Sequence, residues 1–256
     1  DLHNALVQSC DVYFYTIGQR MGIDVMAEFG KDFGLGKATG VELPSERTGI
    51  MPSTAWKQKA KNEQWLPGET ISAAIGQGYV TVTPLQMASL VGTVANNGVS
   101  YRPRLVQAVM DRMSGNLQEL PAVPRGKINA KPETFRVIKD ALADVVTKGT
   151  ATRAKSSMVT IGGKTGTAQV AALRTGPEEN IPKKFRDHAW FVAFAPVESP
   201  KIAVAVLAEH MGHGGAAAAP LAKEVIETYM KLAPQVPAVT SDLSGVNRSE
   251  RSAKDS

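Results

Sequence analysis

Two short groups of residues in this sequence have the chemistry to move a proton or hold an anion. The first is Gly162-Gly163-Lys164-Thr165-Gly166-Thr167, an ammonium and two hydroxyls interleaved with residues that carry no side chain. The second is Ser9-Cys10-Asp11, a hydroxyl two positions from a carboxylate. The Gly-Lys-Thr run invites comparison with the phosphate cradle of a P-loop and fails it. That motif needs glycine five positions before Gly163, where this chain has Met158, and it leads into a helix, whereas Thr167-Ala168-Gln169-Val170 reads as strand. On a strand, Lys164 and Gly166 face one way and Thr165 and Thr167 the other. The ammonium supplies a positive field, the hydroxyls can grip a carboxylate, and Gly166 lets a substrate backbone lie close against the strand. A plain turn between strands is the competing reading of the same six residues.

Ser9 and Asp11 fall on an expected first helix. A hydroxyl placed between a lysine and a reaction centre can relay a proton, and adjacent positive charge assists it. Serine and aspartate on a helix also serve simply as a cap or a solvated face. Cys10 is the single cysteine, which excludes an intrachain disulfide framework and any CxxC knuckle, and a lone cysteine commonly fills apolar space. His210 and His213 have metal-ligand spacing, but no carboxylate-rich segment accompanies them. Asp187 and His188, just before a strand, read as hydrogen-bonded loop residues.

The elements that must position these groups follow from periodicity. Leu6, Val7, Cys10, Tyr13, Phe14 and Ile17 recur at threes and fours, giving one amphipathic helix over 4–21. A short helix over 25–33 ends at Gly34 and Gly36. Residues 39–72, rich in Gly, Pro, Ser and charge, read as irregular surface. Pro84 opens a helix through Val94, closed by Asn96-Asn97-Gly98. A strand over 105–110 precedes a turn at Ser114-Gly115-Asn116, and a well-patterned helix runs from Lys131-Pro132-Glu133 to Gly149. Strands over 161–170, 189–195 and 202–208 follow, the last two an antiparallel pair. The connection 171–187 is long for a hairpin and reads as a solvated loop beside the Lys-Thr-Gly strand. A helix over 220–232 closes the folded part. Helices early and strands late imply an α+β plan, an antiparallel sheet backed by helices. The folded unit spans 1–233, and 234–256 reads as a disordered polar tail.

With 43% hydrophobic and 21% charged residues the chain is ordinary globular material, too apolar for intrinsic disorder. Its net charge of +5 is scattered rather than clustered, which argues against nucleic-acid binding. The apolar runs are far shorter than the roughly twenty residues needed to cross a bilayer. The sequence opens without Met and within a helix pattern, so it is expected to be a fragment with any signal or anchor upstream.

Lys164-Thr165-Gly166 resembles the strand element of serine acyl-transfer enzymes acting on D-alanyl peptides and β-lactams, and Ser9-Cys10-Asp11 is similar to their Ser-x-Asn/Asp element. Together with Ala74-Ile75-Gly76-Gln77-Gly78-Tyr79, Thr83-Pro84-Leu85-Gln86-Met87-Ala88, Thr167-Ala168-Gln169, Asp187-His188-Ala189-Trp190-Phe191 and Phe194-Ala195-Pro196, the chain resembles class B penicillin-binding proteins from Leu2 to about Leu232. Asp11 and Trp56-Lys57-Gln58-Lys59 look most like the elongation branch of Gram-negative rods.

The resemblance implies a serine β-lactamase/D,D-peptidase-like transpeptidase fold, incomplete at its N-terminal side. It implies cross-linking of peptidoglycan stem peptides through an acyl-enzyme, with β-lactams as inhibitors. No serine here has lysine three positions on, so the Ser-x-x-Lys nucleophile is expected upstream and this chain alone is expected to be inactive. Ser9, Asp11 and Lys164 then form the proton-relay and electrostatic side. Thr165, Gly166 and Thr167 bind substrate, and the Thr167 backbone N–H supplies half of an oxyanion hole. Asp11, where asparagine is commoner, is expected to hold Lys164 protonated.

No cofactor is needed for this chemistry. Some elongation-type relatives use a cysteine at the position of Cys10 as a structural zinc ligand with partners upstream. Implied partners are a SEDS-type glycosyltransferase and elongation-complex scaffold proteins. The implied location is the periplasmic face of the inner membrane, held by an upstream anchor. A serine β-lactamase and a non-catalytic penicillin-recognising sensor are the alternatives: rapid turnover of penicillin would mark the first, and an upstream region lacking Ser-x-x-Lys the second.

Overall fold

The structure is a computed structural model and describes residues 1–170 and 181–232. The tail expected at 234–256 and the first part of the 171–187 connection lie outside the described residues. The chain opens with two helices where periodicity implies one. α1 (Leu2–Val7) ends at Gln8, and α2 (Asp11–Met21) starts from Cys10. Between them Ser9 turns the backbone at φ 53°. Its N–H reaches Leu6 O at 3.3 Å, and the Cys10 N–H reaches Ala5 O at 2.9 Å, the crossed bonds of a Schellman closure. The closure uses Gln8, Ser9 and Cys10, about one helical turn, so the apolar spacing runs through it unbroken and conceals it. Ser9 is therefore in an elbow, not on a helix.

α3 (Ile23–Asp32) follows as expected. The segment read as irregular contains α4 (Thr54–Lys61) and α5 (Pro67–Ala74). Their start signals are local. The Ser53 side chain accepts the Trp56 N–H, Pro67 occupies the first turn where no N–H is required, and the Glu69 carboxylate accepts the Leu66 N–H at 2.8 Å. Lys57 joins the two helices. Although only 2% exposed, its ammonium meets Glu69 at 2.6 Å and Glu63 at 3.4 Å, and the Glu69 hydrogen bond holds its pKa above the usual lysine value.

α6 (Pro84–Ala95) carries a reciprocal capping box between Thr83 and Gln86. The buried Gln86 amide also donates to Lys37 O and Thr48 O, fastening the irregular 37–48 segment to this helix. β1 (Val99–Tyr101) pairs antiparallel with β4 (Pro124–Lys127). Between them β2 (Ala108–Met110) and β3 (Leu117–Glu119) form a hairpin, so the strand expected over 105–110 contracts to its last three residues. α7 (Pro132–Thr147) then leads to the central sheet.

That sheet is β5 (Gly162–Ala168), β6 (His188–Ala195) and β7 (Ile202–Ala208), antiparallel in the order β5-β6-β7. α8 (Gly214–Leu232) starts before the expected Pro220. Proline inside a helix leaves the carbonyl four residues back without its donor. Here that carbonyl is Ala216 O, and the Arg153 guanidinium donates to it at 3.1 Å. Phe191 and Ala193 on one face of β6 pack with Val145 and Val146 of α7 and with Ala218, Ala219, Ala222 and Ile226 of α8. Phe194, on the opposite face, packs with Val91, Val94 and Ala95 of α6. The antiparallel sheet backed by helices is thus the architecture expected.

Phe191 is fully buried beneath α8, so Phe191→Ala is expected to destabilise the fold by about 3–5 kcal/mol. Equilibrium denaturation checks this; a loss under about 1 kcal/mol would mean that α8 collapses into the space.

Candidate functional site

The sheet and the α1–α2 elbow bring the two groups read from sequence together. Lys164 Nζ donates to Ser9 Oγ at 2.7 Å across 155 positions of sequence, and to Thr165 O at 3.1 Å. The elbow is held from behind. His3 Nε2 lies 2.8 Å from Asp144 Oδ2, tying α1 to α7, and Lys148 meets the same carboxylate at 2.9 Å. Hydrogen bonds from Lys148, then His3, lower Asp144 to about 2, so the carboxylate stays charged through mild acid. Gly149 lets the two helix ends close up, since a Cβ there would overlap Val7 O.

Burial lowers Lys164 to about 8, and the Asp11 carboxylate pulls in the opposite direction. Asp11 thus favours the ammonium as expected, but desolvation outweighs it. With its pKa at about 8 the ammonium remains the major form at neutral pH, and the neutral amine lies within reach just above it. A hydroxyl hydrogen-bonded to such a group can exchange a proton with it at little cost.

β5 is the outer strand of its sheet, and among the described residues no strand pairs its other side. In an antiparallel ladder both backbone polar groups of one residue point to the same side. Gly166 lies opposite Trp190. A Cβ on Gly214 would overlap both Trp190 O and Gly166 O, placing these groups together between the strands. Thr165 and Thr167 then turn outward. Their carbonyls indeed meet side chains, Thr165 O receiving Lys164 Nζ and Thr167 O receiving Gln77 Nε2 at 2.7 Å. The Thr165 and Thr167 N–H groups thereby face the open edge. Gly166 is extended and not at positive φ, which removes the plain-turn reading. A Cβ on it would come within 3.2 Å of Trp190 Cβ, a tight fit on the sheet itself.

The side chains alternate as expected. Thr165 lies over the α8 side, its hydroxyl 2.9 Å from that of Thr150. The sequence motifs assign no role to Thr150 or Gln77. Gln77 carried a signal in Gly76-Gln77-Gly78, but Thr150 follows Gly149 with no motif at all. Cys10 is exposed, which corrects its reading as apolar filler. No group of three or more His, Cys, Asp or Glu among the described residues is arranged to hold a metal, so the residues present do not by themselves make a zinc site around Cys10. His210 does not join His213 in a ligand set; its N–H donates to His188 Nδ1 and its ring meets Arg186 O. His188 is the first residue of β6, and Asp187 O accepts from Gly212 N–H.

Comparison with known proteins places the chain. The model of the penicillin binding protein transpeptidase domain matches residues 1–227. The chain is 39% identical over 235 residues to the peptidoglycan D,D-transpeptidase MrdA of Acinetobacter baumannii, covering 90% of this chain and 34% of that protein. To the MrdA of Haemophilus influenzae it is 38% identical over 244 residues, covering 92% and 37%. It therefore spans about a third of the length of these curated relatives. A solved complex of Helicobacter pylori PBP2 with MreC superposes with TM-score 0.77 at 31% identity, covering 91% of this chain and 40% of that one. Pseudomonas aeruginosa PBP2 in complex with WCK 5153 gives 0.75 at 35% identity, covering 90% and 49%.

The left-handed turn makes a separable demand on Ser9. A residue with a Cβ pays about 1–2 kcal/mol there, which glycine does not. Ser9→Gly and Ser9→Ala both lose the Lys164 contact, but only Ser9→Ala keeps the strain, so Ser9→Gly is expected to melt above Ser9→Ala. If Ser9→Gly melts at or below Ser9→Ala, the left-handed turn is not a strain that the elbow carries.

Proposed function

The chain belongs to the penicillin-binding protein transpeptidase family, and on that premise we propose that it forms the Lys-Thr-Gly side of a peptidoglycan D,D-transpeptidase of cell elongation. The observation that carries the reading is the Lys164–Ser9 contact beside a strand edge that is unpaired among the described residues. An extended stem peptide can add to β5 by backbone hydrogen bonding, with Thr165 and Thr167 as its partners.

In this reading the acylating serine belongs to a Ser-x-x-Lys motif in the part of the protein before Asp1. Its oxygen attacks the carbonyl of the D-Ala-D-Ala bond, an ester forms, and D-alanine leaves with the proton that the serine gave up. The amine of a second stem then takes the acyl group and restores the serine. Ser9 stands between Lys164 and that centre and passes the proton. The outward Thr167 N–H donates to the developing oxyanion, and the Thr165 and Thr167 hydroxyls receive the terminal carboxylate. β-Lactams enter the same site as acylating analogues of the D-alanyl end.

The names of related structures support a setting as well. H. pylori PBP2 is solved with MreC, and another relative belongs to a peptidoglycan synthase complex described as coordinating polymerization and crosslinking. A scaffold protein and a glycosyltransferase are the corresponding partners for this chain, at the periplasmic face of the inner membrane. The folded unit of this proposal is 1–233. A zinc site at Cys10 would need ligands from elsewhere in the protein.

In the protein carrying its Ser-x-x-Lys serine, Lys164→Ala is expected to raise the barrier to acylation by fluorescent penicillin by about 2–4 kcal/mol with the fold retained. Acylation at the parental rate would remove Lys164 from the mechanism. If the ammonium is the active form, the rate falls as pH rises through about 8. Asp11→Asn removes a group that favours the charge, so the fall should begin at lower pH. A rate that instead climbs through this range would assign the neutral amine as a base.

A further inference from the structure

The Gly76-Gln77-Gly78-Tyr79 segment has no part in the acyl-transfer scheme above, yet its one long polar side chain reaches the edge of β5. Gln77 Nε2 donates to Thr167 O at 2.7 Å across 90 positions of sequence. Thr167 is one residue from the end of β5, the outer strand of its sheet among the described residues. The end of such a strand has little to hold its backbone direction.

The segment that presents Gln77 is itself anchored. Gly76 and Gly78 sit at φ 75° and 68°, and the Gln77 N–H donates to Ser72 O at 2.9 Å. Tyr79 packs its ring 5.3 Å from Trp56 and 6.2 Å from Trp65. Lys57 Nζ lies 5.8 Å above the Tyr79 ring, and its ion pair with Glu69 joins α4 to α5. Two residues further on, Thr81 bridges to Ile50. The ion pair of a buried lysine and an aromatic cluster thus stiffen the base of a side chain that ends on the substrate strand.

We infer that Gln77 is a positioning residue: its amide clamps the backbone of Thr167 and so fixes the direction of the Thr167 N–H. This rests on the transpeptidase reading, in which that N–H stabilises the oxyanion. The clamp acts through Thr167 and is separate from the hydrogen bonds that Lys164 makes to Ser9 and Thr165. Its loss therefore lowers the rate of the chemical step more than it weakens the initial binding of penicillin, because the N–H bond tightens only as charge develops.

The test uses the whole protein, with its Ser-x-x-Lys serine, and benzylpenicillin or a fluorescent penicillin. Gln77→Met keeps the length and removes the donor. It should slow the limiting acylation rate roughly 10- to 100-fold, the range for a misplaced reacting geometry, with the half-saturating penicillin concentration nearly unchanged. Gln77→Glu sets a carboxyl against the carbonyl. Ionised, it repels Thr167 O; protonated, it donates to it. Between about pH 7 and 5, where Lys164 stays charged, the rate ratio of the Glu to the Met variant should rise as pH falls, the carboxyl pKa being lifted by its acceptor neighbour.

Acylation of the Met variant at the parental rate, or a Glu-to-Met ratio that is flat with pH, overturns the inference and leaves the transpeptidase reading intact. Should the Met variant melt far below the parent, the pH ratio of the Glu variant against the parent decides. A parent protein that penicillin does not acylate overturns the transpeptidase reading and the inference with it.

Discussion

The hydrogen bond from Lys164 to Ser9 is the constraint on which the rest of the molecule converges. An ammonium that gives up water must recover hydrogen bonds from fixed partners, or its charged form becomes too costly. Here one partner is a hydroxyl on a helix elbow and the other a carbonyl of its own strand. Desolvation, opposed by Asp11, leaves Lys164 near 8, and that balance exists only if the strand and the elbow stay in register. The His3–Asp144 contact and the close approach at Gly149 both secure α1 against α7, and α7 packs against β5. These contacts, remote from the lysine, thus set its electrostatics.

An open strand edge is ordinarily a liability, because its unpaired N–H and C=O groups can recruit another chain. Among the described residues β5 manages this without a covering strand. Side chains take the outward carbonyls, Lys164 at Thr165 and Gln77 at Thr167, and among the described residues the donors remain available. Acceptors are capped and donors left open, which suits a ligand that brings carbonyl, carboxylate or oxyanion groups. The sequence element and the backbone polarity therefore point to the same chemistry.

Elsewhere the fold meets polar demands one at a time. Pro220 deprives Ala216 O of a donor and Arg153 supplies one. Gln86, buried at the start of α6, gives its amide to two carbonyls of a segment with no regular structure. Lys57 is buried and answered by Glu69 and Glu63. Each is a long polar side chain doing locally what a backbone ladder does elsewhere, and each leaves the surrounding irregular chain with a defined position.

The sequence by itself determined the long periodic elements. α6, α7 and the β6–β7 pair were legible because each buries a regular stripe, and periodicity is a statement about one face meeting a core. The Lys-Thr-Gly strand and the Ser-x-Asp element were legible as motifs because their chemistry lies in residue type and close spacing. Short elements were not: α4 and α5 have eight residues each, with a buried lysine where an apolar stripe would be sought. The break at Ser9 left no trace, since a left-handed turn replaced one helical turn without disturbing the spacing. What only the tertiary structure decided is which groups face one another. Lys164 meeting Ser9, Gln77 meeting Thr167 and Thr150 meeting Thr165 are contacts between positions far apart in the chain or on unrelated elements. So is the pKa of Lys164, because the desolvation that sets it comes from neighbours that no local pattern names.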